Sequence, residues 1–254
     1  MKKILQLLFE HKTLDRTAAK EVLMHIGQGI YNEHEVTAFM SVFLMRSITI
    51  EELQGFQDAL MELCVKADLK DFETIDIVGT GGDGKNTFNI STIACFIVAG
   101  AGQMVAKHGN YGASSISGAS NVMEALGYRF SNDNEKLKRE MEIANICFLH
   151  APLFHPALKV VGPIRKNLAM RTFFNMLGPM ANPALPNFQL VGVYSLEMAR
   201  VYNYLLQKTG RPFTIIHSLD GYDEISLTGD TKVISNKGES IMSAVQLGKR
   251  IVSA

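Results

Sequence analysis

The chain reads as an α/β protein, with a small helical domain at its N-terminus and a larger domain built on a mostly parallel sheet. Three observations carry that reading. Residues 1–70 show helical periodicity alone. From Thr74 onward, short apolar runs alternate with helical segments. Two glycine-containing stretches, 79–85 and 107–110, directly follow such apolar runs.

In the first segment Leu5, Leu8 and Phe9 share one helical face. Ala18, Ala19, Val22, Leu23 and Ile26 then recur at spacings of three and four, and Gly27 with Gly29 stops the run. Asn32 with Glu35, and Thr49 with Glu52, have the spacing of a capping box. Each precedes an amphipathic run, first Val36, Phe39, Met40, Phe43 and Leu44, then Leu53, Phe56, Leu60 and Leu63. A helical bundle is therefore predicted over 1–70, with the charged stretch 66–73 as the hinge out of it.

From Thr74, strands are predicted at 75–78, 103–106, 188–194 and 213–217. Ser195 caps a helix from Leu196 to Lys208, closed by Gly210 and followed by Pro212. Strands separated by helical segments argue for a mostly parallel sheet covered on both faces. In open sheets of this kind ligands sit at the carboxyl ends of the strands, where both glycine stretches fall. Beyond 225–228 and 232–234, the stretch 237–254 carries weak periodicity; an α/β domain ending there would lack its last strand and helices.

Length and composition limit the classes. With 254 residues and 47% hydrophobic content the chain can bury a substantial core. Its 25 basic residues balance 25 acidic ones, so bulk charge favours neither a nucleic acid nor a membrane surface. No apolar run approaches the ~20 residues of a membrane span. Cys64, Cys95 and Cys147 are widely spaced in apolar surroundings. They read as buried thiols of a cytoplasmic enzyme, with neither metal-ligand spacing nor a disulfide framework.

Any anion site is then local. The stretch 79–85 follows a strand, carries Asp83 and Lys85, and leads to Asn89 and Ser91 at a helix start. Strand, glycine turn and helix start together present several N–H donors to a phosphate, and glycine lets the ligand approach the main chain. The glycine spacing is not the dinucleotide fingerprint, and no Lys-Ser/Thr pair closes a Walker loop. Lys107 can meet a phosphate as a point charge, and the following 111–118 is rich in small hydroxyl residues. His108 reads as structural, and His155-Pro156 as a turn and cap. Asp223-Glu224 is either a solvated turn or, beside a polyphosphate, a pair of Mg²⁺ ligands. Arg165 and Arg171 are either exposed helix residues or a bidentate partner for a substrate carboxylate.

In combination the chain resembles the anthranilate phosphoribosyltransferase family of tryptophan biosynthesis, from near its start to about Asn236. The resemblance rests on Gly79-Thr80-Gly81-Gly82-Asp83, Asn89-Ile90-Ser91-Thr92 and Lys107-His108-Gly109-Asn110. It continues in Arg165, Arg171-Thr172-Phe173-Phe174-Asn175, Leu177-Gly178-Pro179 with Asn182-Pro183, and Gly221-Tyr222-Asp223-Glu224.

The resemblance implies a nucleoside phosphorylase/phosphoribosyltransferase-like fold in a homodimer. Its helical domain over 1–70 would gain a contribution from about 155–182, and its α/β domain would span 71–254. Phosphoribosyl pyrophosphate (PRPP) would be held by Gly79, Thr80, Gly82, Asp83, Thr87, Asn89, Ile90, Ser91 and Thr92, and by Lys107, His108, Gly109, Asn110, Ser114 and Ser115. Anthranilate would meet Gly79, Asn110 and Arg165, with Arg165 near its carboxylate. Ser91, Asp223 and Glu224 would serve two Mg²⁺ ions. The aryl amine would attack C1 of the ribose as pyrophosphate leaves. Positioning, leaving-group stabilisation and domain closure would dominate over general acid–base catalysis.

Departures from the family pattern are Tyr111 for a usual Arg, Ala119 for Ser, Ala169 for Gly and His150 for Phe. The chain is also several dozen residues shorter than the family norm, as if truncated at its C-terminus. Three other readings stay open at this point. A pyrimidine nucleoside phosphorylase-like enzyme would not need Asp223-Glu224 for magnesium. A non-catalytic nucleic-acid-binding relative would show a basic stripe. An inactive, truncated remnant would keep the signature without turnover.

Overall fold

A computed structural model of the chain describes residues 1–85, 87–112, 117–168 and 170–253. Ser114, Ser115 and Ala169, named above, lie outside the described residues.

Four helices come first: α1 (Lys2–Phe9), α2 (Arg16–Gly27), α3 (Glu33–Met45) and α4 (Ile50–Leu63). Strand β1 (Thr74–Gly79), helix α5 (Ile90–Gly100), strand β2 (Met104–Gly109) and helices α6 (Ala119–Ala125) and α7 (Asn134–Ala144) follow. Strand β3 (Ile146–His150) leads to α8 (Ala151–Phe154), α9 (Leu158–Leu168) and α10 (Phe174–Leu177). Then come β4 (Phe188–Gly192), α11 (Leu196–Gln207), β5 (Phe213–Ser218), β6 (Thr231–Ser235) and β7 (Gly238–Met242). Among the described residues no helix is long and apolar enough to cross a membrane.

The elements form two compact units, one of Met1–Ala67 with Ala151–Pro183, the other of Asp68–His150 with Ala184–Ala254. In the helical unit both predicted capping boxes are present, at Asn32/Glu35 and Thr49/Glu52. Glu52 does more than cap. Fully buried, it also accepts the Leu14 N–H at 3.0 Å and pairs with Arg46 at 2.5 Å. Burial alone would raise its pKa, but the Arg46 and backbone hydrogen bonds outweigh that and hold it below the usual value. The apolar faces of α3 and α4 meet through Phe39, Phe43 and Phe56, and Phe173 from the second segment stacks on Phe56 at 4.5 Å. Phe9 is a correction: it does not share the buried face with Leu8 but is 63% exposed. One residue past Leu8 it has turned about 100° around the helix, away from the bundle.

The second unit is a seven-stranded sheet in the order β3-β2-β1-β4-β5-β6-β7. The pairings from β3 to β5 are parallel; β5–β6 and β6–β7 are antiparallel. Ile77, Cys95, Ala99 and Val105 form a buried cluster that fixes α5 on β1 and β2. The chain runs outward from β1 to β3, then returns to place β4 on the other flank of β1. This is a topological switch point, the usual position for a ligand crevice at strand carboxyl ends.

Three features go beyond the sequence expectations. Strand β3 was hidden because Ile146–His150 is a short apolar run directly after α7, where periodicity cannot separate a buried strand from continuing helix. Asn145, in the left-handed conformation, makes that break. Within the weakly periodic stretch 237–254, β7 pairs with β6 in a hairpin over 231–242; it is almost wholly exposed and therefore shows no apolar pattern. Finally, β2 runs to Gly109, so Lys107, His108 and Gly109 are strand residues and not a loop.

Candidate active site

The site is assembled where β1 and β4 end side by side. Gly79 and Gly192 are register partners, the last residues of their strands. Neither has room for a side chain. A Cβ on Gly79 would lie 2.6 Å from Asp223 Oδ2, and one on Gly192 would lie 1.7 Å from Asp223 O. The two glycines thus make a cradle into which the β5–β6 connection lays Asp223. The Gly81 N–H donates to Asp223 Oδ2 at 2.8 Å, and both Gly81 and Gly82 take positive φ.

Asp83, Asp223 and Glu224 come together here, each offering an oxygen within 4.8 Å of the others. Asp83 Oδ2 and Glu224 Oε2 are buried with no hydrogen-bond partner among the described residues. Burial, then the charges of Asp223 and Asp83, push Glu224 up to about 8. Asp223 is raised too, by burial and then by Asp83. Three mutually repelling carboxyl groups with orphaned oxygens are a poor arrangement for folding but a good one for a divalent cation. The donor set, all oxygen, is what Mg²⁺ takes.

Several residues brace this corner. Ser218, at the end of β5, donates its hydroxyl to Glu224 O at 2.6 Å and accepts the Ser226 N–H at 2.9 Å. Its own N–H donates to Tyr222 O at 3.0 Å. Lys85 lies over the Tyr222 ring at 4.5 Å, so the glycine stretch and the carboxylate turn are linked on a second side.

Under the glycine stretch, Asn89 caps α5. Its Oδ1 accepts from the Thr92 N–H at 3.2 Å and from the Thr92 hydroxyl at 2.5 Å. Lys107 is 2% exposed and donates to Ile77 O at 2.8 Å, with Ser91 Oγ at 3.5 Å. Its charge is held under the helix start, reinforcing the positive N-terminal end of α5. His108 is buried, and its backbone N–H donates to Asp76 Oδ1 at 3.3 Å. Thr80 is half-buried, Thr87 exposed and Ile90 half-buried.

Farther along, Tyr111 donates its hydroxyl to Glu124 at 2.6 Å and meets His150 edge-on at 5.0 Å. His150 stacks on Phe130 at 4.1 Å, and its Nδ1 lies 2.8 Å from Ser120 Oγ. Two departures from the family pattern, Tyr111 and His150, are therefore in mutual contact.

In the helical unit Arg165 is half-buried on α9. Its guanidinium lies over Phe174 at 5.5 Å and donates to Asn175 Oδ1 at 3.4 Å. Burial lowers its pKa. Arg171 is exposed. His155 is buried, with Nε2 2.7 Å from Ala181 O.

Asp83, expected among the PRPP contacts, lies beside Asp223 and Glu224. Neither Gly192 nor Ser218 carries a signal in the sequence, since each gains its role only from a neighbour brought in by the fold. Ser91, expected at a metal, is placed beside Lys107.

Comparison with known proteins agrees with this architecture. Residues 71–249 match the model of the "Glycosyl transferase family, a/b domain", and residues 2–64 that of its "helical bundle domain". An anthranilate phosphoribosyltransferase of Christiangramia forsetii is 60% identical over 98% of this chain and 75% of its own length. The chain belongs to the anthranilate phosphoribosyltransferase family. The family enzyme of Bacteroides thetaiotaomicron is 59% identical over the same shares. The crystal structure from Thermus thermophilus superposes with a TM-score of 0.88 at 31% identity, covering 98% of this chain and 75% of that one. The Saccharomyces cerevisiae enzyme, solved in complex with PRPP and Mg, superposes with a TM-score of 0.87 at 28% identity, covering 98% and 74%. The chain thus spans about three quarters of its relatives' length. The family match runs to residue 249, past the Asn236 at which the sequence resemblance stopped.

Proposed function

We propose that this chain transfers the phosphoribosyl group of PRPP to the amine of anthranilate, giving N-(5-phosphoribosyl)anthranilate and pyrophosphate. The observation that carries the reading is the trio Asp83, Asp223 and Glu224 beside the glycine stretch, with two orphaned oxygens. Phosphorolysis of a nucleoside has no use for such a trio.

The N–C1 bond forms as the bond from C1 to the pyrophosphate oxygen breaks; the electron pair leaves with pyrophosphate, and the amine proton goes to solvent. When bound, Mg²⁺ neutralises charge on the leaving group. Asp83, Asp223 and Glu224 are the residues that would hold it, with Ser91 as a further oxygen and two ions as the proposed number. Gly79, Gly82 and Asp83 of the glycine stretch and the start of α5 at Asn89, Ile90, Ser91 and Thr92 are assigned to the phosphates, with Lys107 adding charge behind them; the Gly81 N–H is already given to Asp223. Thr80, Gly82, Thr87, His108 and Gly109 remain in the proposed PRPP set. For anthranilate the proposed set is Gly79, Asn110 and Arg165. The half-buried guanidinium of Arg165, already steered by Asn175 and Phe174, suits a planar carboxylate. A homodimer is part of the proposal and is read by sedimentation.

The test is the loss of anthranilate fluorescence on mixing with PRPP and Mg²⁺. Loss that requires both additions is expected. Steady fluorescence with a folded, PRPP-binding chain would overturn the reading.

A further inference from the structure

Helix α6 holds the segment that follows β2 by an unusual contact. The side chain of Asn121 sits in its first turn, and its Oδ1 accepts two backbone N–H groups, from Gly118 at 2.9 Å and from Gly112 at 3.1 Å. The first bond is the ordinary return of an N3 side chain to the residue capping its own helix. The second is not a cap, because Gly112 lies nine positions earlier in the chain. One oxygen therefore ties Gly112 to Gly118.

The surroundings support the pinch. A Cβ on Gly118 would sit 2.3 Å from Gly112 N and 2.6 Å from Asn110 O, so the two ends touch backbone to backbone. The Ser120 N–H donates to Asn110 O at 3.1 Å, while Asn110 Oδ1 accepts the Tyr111 N–H at 2.8 Å. Glu124, one turn beyond Asn121 on α6, takes the Tyr111 hydroxyl. The backbone of Asn110, Tyr111 and Gly112 is thus tied to α6 by Ser120, Asn121 and Glu124.

We propose that Asn121 is a positioning residue for the transfer reaction, fixing through Gly112 and Gly118 the backbone that presents Asn110. This rests on the assignment of Asn110 to the substrates. A side-chain oxygen one methylene from the backbone suits that role, because its two lone pairs can take both N–H groups at once.

The test compares Asn121→Ala, Asn121→Gln and Asn121→Asp with the wild-type chain. Asn121→Gln keeps the amide but moves its oxygen outward by one methylene, and serves if the alanine variant fails to fold. Loss of both hydrogen bonds is expected to raise KM for PRPP about tenfold or more, with a smaller change in kcat. The Gly112 and Gly118 amides should exchange faster with solvent in the same variants. Asn121→Asp keeps the acceptor and should restore most of the amide protection and of KM. A KM within about twofold of wild type in folded Asn121→Ala and Asn121→Gln would overturn the proposal, since one hydrogen bond alone is worth more. So would an Asp variant as poor as Ala. If the wild-type chain shows no turnover, the functional reading fails separately, and calorimetric PRPP affinity with the same amide exchange still decides the role of Asn121.

Discussion

Gly192 and Asp223 touch so closely that one carbon atom decides the geometry of the carboxylate trio: a Cβ on Gly192 would fall 1.7 Å from Asp223 O. Gly192→Ala must therefore move the 221–224 turn or the end of β4. A displacement of about 1 Å at reacting groups costs on the order of 10²-fold in rate, and the overpacking about 1–3 kcal/mol of stability. Turnover and a thermal melt measure the two. Unchanged turnover would show that the turn relaxes freely.

Asp223→Asn combined with Glu224→Gln should abolish turnover and also the stabilisation by Mg²⁺. A cation binding only the folded chain adds about 2.7 kcal/mol at a hundredfold excess over Kd, so Mg²⁺ should raise the wild-type Tm and leave the variant's unmoved. Without Mg²⁺ the variant should be at least as stable as wild type, because repulsion within the trio is relieved. A variant that kept full rate would remove the metal assignment.

Arg165→Ala should raise KM for anthranilate by about tenfold to a hundredfold, the worth of one charge-assisted contact, and leave KM for PRPP near wild type. Arg165→Lys should recover little, since an ammonium lacks the planar fork. Equal effects on both substrates would mean that Arg165 supports the helical unit and not the acceptor.

His155 gives stability a pH dependence of defined sign. Burial lowers its folded-state pKa from the ordinary 6.5, so below that value the unfolded chain binds the proton more readily. Stability is full above about pH 6.5 and declines as pH falls towards the folded pKa. Glu224, raised to about 8, works in the opposite direction over part of that range, so the comparison is with His155→Gln. Thermal melts from about pH 7.5 to about 5.5, spanning the ordinary histidine pKa, should show the wild type losing more than the variant. Parallel curves would exclude His155 as the titrating group.

Much of this was legible in the residues because it is local. The capping boxes at Asn32 and Thr49, the helix cap at Ser195 and the apolar cores of β1, β2, β4 and β5 need only neighbours within a few positions. The glycine stretch with Asn89 likewise shows the pattern proposed for an anion site within one continuous segment. Strand β3 escaped because an apolar run as short as Ile146–His150 has no period of its own. Strand β7 escaped because an exposed edge strand has no face to bury.

The sequence by itself determined the class of fold, the lineage and the groups on offer: a glycine-rich stretch before a helix start, paired carboxylates and a candidate guanidinium. Only the tertiary structure decided which of these meet. Asp83 joins Asp223 and Glu224 from a distant part of the chain because β4 returns to pair with β1, and Gly192 leaves the space that lets it happen. Asn121 binds Gly112 because α6 folds back onto the end of β2. Local pattern follows from hydrogen bonding and burial within a few residues, whereas a site depends on strand order, which no short stretch of sequence encodes.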